Sequence, residues 1–121
     1  MDITPYTGMV RLQYRSLLKR YAEWYEGWAS EMGVHPDALS DELETYLMIS
    51  CRVVPNGKKE HKTFASFQDD EDTAKKKFMA YSEFTITQTN QWVRAMNQLD
   101  EPADTALAPE PDIPEDDEKN V

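Results

Sequence analysis

Between Thr7 and Gly33 the chain places Val10, Tyr14, Leu17, Tyr21, Trp24, Tyr25, Trp28 and Met32 mostly three or four residues apart. At about 100° per residue this spacing confines them to an arc of roughly 100°, the apolar stripe of an amphipathic helix. Arg15, Lys19, Glu23 and Glu26 fall on the other side. Thr7 offers the hydroxyl an N-cap needs, and Gly33 followed by Pro36 supplies a stop. The pattern predicts one long helix whose face the rest of the chain has to cover.

A second helix is predicted from Pro36 or Ser40 to about Val54. Leu39, Leu43, Tyr46, Leu47, Ser50 and Val54 share one side, and Met48, Ile49 and Val53 make its flanks apolar, so it is the candidate for the most buried element. Pro55-Asn56-Gly57 reads as a turn and Lys58–Lys62 as an exposed loop, while Thr63–Phe67 fits a strand or a packed loop equally well. Acids at Asp69–Asp72 followed by Lys75–Lys77 suit a third helix from about Asp70 to Tyr81, with Glu71 facing Lys75 and Asp72 facing Lys76 at i,i+4. Thr85 and Gln88 form a possible capping box for a fourth helix, lined by Trp92, Ala95, Met96 and Leu99. The expectation is a mainly α fold, a small bundle of about four helices over residues 1–100.

After Asp100 the composition changes to acids, alanine and Pro102, Pro109, Pro111 and Pro114. Such a stretch has too little apolar surface to offset the entropy of ordering, so residues 101–121 are expected to form a disordered acidic Pro-rich tail. The formal net charge of −10 is concentrated there. From Asp100 to Val121 nine acids face one base, whereas residues 1–99 hold fourteen acids and twelve bases. An acidic excess without a basic stripe argues against nucleic acid as a partner. One cysteine, no signal-like N-terminus and no long apolar run predict a cytoplasmic protein without a membrane span.

Catalysis needs convergent groups, and no Walker loop, dinucleotide fingerprint, HExxH or GxSxG occurs. His35 and His61 have no Cys or His at ligand spacing, and Asp69–Asp72 lacks the alternation and central glycine of a calcium loop. Cys51, among apolar neighbours, reads as a core residue. The sequence therefore points to a non-enzyme with no cofactor or metal. Tyr14, Tyr21, Trp24, Tyr25 and Trp28 read either as core alone or as core plus a partner surface, because Tyr and Trp are enriched where a face meets a partner. Trp92 joins them as a partner-binding candidate. In the tail, Leu107 and Ile113 are apolar points among acids and prolines, the form of a short linear motif or simply of a solubilising appendage.

A helical body, a late helix carrying Trp92-Val93-Arg94-Ala95-Met96-Asn97-Gln98-Leu99, then Asp100-Glu101-Pro102-Ala103-Asp104 and Leu107-Ala108-Pro109 in an acidic tail, resembles the tail assembly chaperones of long-tailed bacteriophages. The resemblance is most evident over residues 64–109. It implies a protein of the infected cell's cytoplasm that coats the long, hydrophobic tape measure protein and keeps it soluble until tail tube subunits polymerise around it. In many members a ribosomal frameshift appends a domain that recruits the tube subunit, and Glu118-Lys119-Asn120 is compatible with a slippery site. Alternative expectations are an acidic inhibitor or DNA mimic occupying a basic site, and a structural virion component or generic adaptor.

Overall fold

Thr7 does cap a helix: its Oγ1 accepts from the Val10 amide at 3.3 Å, and α1 spans Gly8–Tyr21. The helix does not continue to Gly33. In the computed structural model, which describes residues 2–100, the chain turns at Ala22–Trp24 and restarts as α2, Tyr25–Met32. The amides of Glu23 and Trp24 donate three residues back, to the carbonyls of Arg20 and Tyr21, so the last turn tightens. The break lets the Tyr21 ring sit 5.3 Å from Trp24 and 5.8 Å from Trp28, whereas a straight helix would separate Tyr21 and Trp28 by about 10 Å along its axis.

Gly33 ends α2 at φ 71°, in the left-handed region, and its amide reaches back to the Ala29 and Ser30 carbonyls. An added Cβ would meet nothing within 4 Å there or at Gly27, inside α2. The two glycines therefore isolate a backbone effect. Gly33→Ala is expected to destabilise by about 1 kcal/mol, and Gly27→Ala to stabilise by about 0.5–1 kcal/mol. Denaturant midpoints that move in the same direction for both would contradict this.

α3 spans Pro36–Arg52 and begins with the His35 ring, whose Nδ1 accepts from the Asp37 amide at 3.1 Å. It is the central element, burying Leu39, Leu43, Tyr46, Leu47 and Ile49 against α1, α2 and the two helices that close the chain, α5 (Glu71–Tyr81) and α6 (Ile86–Asp100). Past Arg52 the chain is extended. Ile3 pairs with Val53 in a single antiparallel bridge, with Thr4 donating to the Arg52 carbonyl at 2.7 Å and Val54 to that of Asp2 at 3.0 Å.

The segment expected to be an exposed loop is a short helix, α4, Lys58–Thr63, and no strand forms over Thr63–Phe67. Contacts to α3 decide both: the Tyr46 hydroxyl donates to the Thr63 carbonyl at 2.6 Å, and the Ala65 amide to Ser50 Oγ at 2.9 Å. Asp70 caps α5 through the Thr73 amide at 2.8 Å, which holds its carboxyl below the usual range. Thr85 caps α6 through the Gln88 amide at 3.1 Å. The lysines of α5 do not take their helical neighbours: Lys75 pairs with Glu31 of α2, and Lys77 with buried Asp69 at 3.0 Å. The described residues thus form a mainly α fold of six helices rather than about four. The tail expected over 101–121, with Leu107 and Ile113, lies outside the described residues.

Candidate protein-interaction surface

Three of the aromatics read as partner-binding residues present no surface. Tyr21 and Trp28 are 1% exposed and Trp92 2%. Six helices provide more cover than four, and the rings pack on one another. Trp28 stacks between Trp24 and Phe78 at 5.9 and 6.1 Å and donates its indole N–H to Glu71 Oε2 at 3.2 Å. Trp92 meets Phe64 and Phe84 edge to face at 5.6 and 5.1 Å. These residues hold the core together.

Tyr14, Trp24 and Tyr25 remain half-buried at its rim, with the Arg20 guanidinium 5.5 Å above the Trp24 ring. Burial, then the Glu44 charge, raises the Tyr14 phenol, and burial raises those of Tyr21 and Tyr46 much further. Cys51 is half-buried against the core rather than inside it, and burial pushes its thiol up to about 11. At neutral pH it is a thiol, not a nucleophilic thiolate.

Two of the most exposed apolar residues lie on the far side of α1. Met9 is 64% exposed and Leu12 60%, although both sit on a regular helix. Val10, Leu17 and Tyr21 turn inward, so steps of three and four carry Met9, Leu12 and Ser16 along the outer face. Beside them run Arg11, Arg15 and Lys19, spaced by four and therefore drifting only about 80° around the axis. None of the ion pairs among the described residues involves these three bases. No acid occurs between Asp2 and Glu23. The near-neutral body therefore does carry a short basic row, which the count over residues 1–99 averaged away.

Sequence reasoning followed the inward stripe and missed the outward one, although the signal was present as a second periodicity half a turn away. A second apolar point is Ile86, 77% exposed at the start of α6, on the lip of a hollow of about 700 Å³ with Tyr81, Phe84 and Val93. Among the described residues no three His, Cys, Asp or Glu side chains come together to hold a metal, and no helix is long and apolar enough to cross a membrane. Comparison with family models, curated proteins and solved structures gives no match to this chain.

Proposed function

We propose that this chain is a protein-binding factor whose docking face is the outer side of α1, and that it acts as a tail assembly chaperone of the long-tailed-phage kind, holding a tape measure protein soluble in the host cytoplasm. The observation that carries the first part is the exposure of Met9 and Leu12 on an ordered, acid-free helix. Adjacent apolar side chains with a row of bases along one side suit an apolar or acidic face of a helical partner. The second part rests on the resemblance of Trp92–Leu99 and the segment that follows.

The tail tube subunit is a second partner through an appended domain. An acidic inhibitor is a poorer reading, because body acids such as Asp69, Asp70 and Asp100 are engaged in an ion pair, a helix cap and a bond to Arg52. The test is co-expression with a tape measure protein encoded beside this gene. Met9→Ser with Leu12→Ser is expected to cut the soluble partner at least about tenfold, since two apolar anchors contribute upwards of 1.4 kcal/mol, while leaving the fold intact. Undiminished solubilisation by the double variant would remove α1 from the mechanism.

A further inference from the structure

The exposed row on α1 has a complement within the same chain. Residues 101–121 hold Glu101, Asp104, Glu110, Asp112, Glu115, Asp116, Asp117 and Glu118 against the single base Lys119, a balance of −7. Residues 3–22 hold Arg11, Arg15, Lys19 and Arg20 and no acid. Arg20 is committed, donating to the Asp69 carbonyl at 2.6 Å and covering Trp24. Arg11, Arg15 and Lys19 are the charges left for another partner.

The point where the chain leaves the described body makes the pairing local. Asp100, the last residue of α6, is gripped by Arg52 through two bonds of 2.7 and 2.9 Å. The same guanidinium donates to the Thr4 carbonyl at 2.9 Å and lies 5.5 Å from the Tyr6 ring. Pro5, Tyr6, Leu99 and Asp100 line one small hollow, and α1 starts two residues after Tyr6. The described chain therefore ends, at Asp100, close to the N-terminal end of α1.

Reach is ample. Leu107 stands seven positions beyond Asp100 and Ile113 thirteen, spans of up to about 25 and 45 Å, while Gly8 to Lys19 covers only about 17 Å of helix. We infer that residues 101–118 dock in cis along the outer face of α1, their acids on Arg11, Arg15 and Lys19 and Leu107 or Ile113 against Met9 and Leu12. Tethering at the exit point supplies the high effective concentration that makes weak, individually screened ion pairs sufficient. The contact is reversible and salt-sensitive. It is a contact within the chain and does not rest on the function proposed above.

The test uses the full chain with a nitroxide at Pro114→Cys in a Cys51→Ala background, reading paramagnetic broadening of backbone amides. In dilute buffer the outer-face amides from Met9 to Lys19 are expected to lose more than half their intensity, with those of α5 unaffected. The loss should be recovered in about 0.5 M salt, where the screening length falls to ~4 Å, and by Arg11→Glu, Arg15→Glu and Lys19→Glu together. A tether that merely wanders near its exit would broaden the first turn alone and ignore the charge reversal, which overturns the inference.

Broadening that appears only between differently labelled molecules would assign the face to a second copy and overturn it equally. If the Cys51 substitution disturbs the fold, a salt titration of the unaltered chain serves instead. Shifts of Arg11, Arg15 and Lys19 must then move together with those of Leu107 and Ile113, and independent movement refutes docking. Failure here leaves partner capture by α1 standing, and failure of capture leaves the docking result standing.

Discussion

Replacing Trp28 by alanine is expected to destabilise the fold by about 3–5 kcal/mol, a large share of the 5–15 kcal/mol typical of a whole domain. The ring is 1% exposed and bridges three helices: it stacks on Trp24 at the start of α2, on Phe78 of α5, and meets Tyr21 of α1 edge to face. Truncation opens a cavity that no single neighbour can fill and leaves Glu71 without its indole donor. Trp24→Ala removes a half-buried ring from the edge of the same stack and is expected to cost about 1–2 kcal/mol. Thermal unfolding distinguishes the two. The Trp28 variant should lose at least about 12 °C in midpoint and the Trp24 variant clearly less. Equal losses would mean that Trp24 is as deeply packed as Trp28, and that the rim assigned to it is core.

Why the sequence yielded some of this and not the rest follows from where each signal resides. Apolar periodicity reports which side of a helix is buried, and most inward residues of α1, α3, α5 and α6 were legible for that reason, as were the caps at Thr7 and Thr85. Val54 and Leu99, expected on those faces, are each 47% exposed, Val54 because the chain leaves the helix at Val53 and Leu99 because it lies in the last turn of α6. The turn at Ala22–Trp24 was not, because its cause is ring packing between Tyr21, Trp24 and Trp28 and no breaker residue marks it. Lys58–Thr63 has no apolar stripe and owes its helix to anchoring by Tyr46 on α3. Asp69 and Lys77 are eight apart, beyond the helical pairs that spacing reveals, and meet because the chain turns at Ser66–Asp70. For the site, aromatic residues marked a face the fold consumes, while Arg15 and Lys19 were placed on the opposite side of the helix and Met9 and Leu12 beside them carried no expectation.

Arg52 carries the other large effect. Its side chain is 2% exposed, and nothing in the run Ile49-Ser50-Cys51-Arg52-Val53 announces a buried charge. It survives burial because each face of the guanidinium edge is used: Nε on the Thr4 carbonyl, the two terminal nitrogens on the Asp100 carboxylate, and the plane beside Tyr6. Arg52→Ala strands the Thr4 carbonyl and unpins both the N-terminal arm and the last turn of α6. About 2–4 kcal/mol is expected, with less for Asp100→Asn, because the carboxylate is 41% exposed and can rehydrate.

The pair also has a pH signature. The hydrogen bonds from Arg52 hold the Asp100 carboxyl below the usual carboxylate range, so the native state binds that proton less readily than the unfolded chain does. The pairing contribution is therefore fully present above the unfolded carboxylate value and is lost as pH falls through the lower folded one. The stability difference between the natural chain and Arg52→Ala should be flat from about pH 5 to 8 and shrink below about pH 4. Asp70 titrates in the same range but is common to both proteins and cancels. A difference that stays constant into acid would mean that Asp100 contributes nothing through its charge, and that Arg52 stabilises the fold through Thr4 and packing alone.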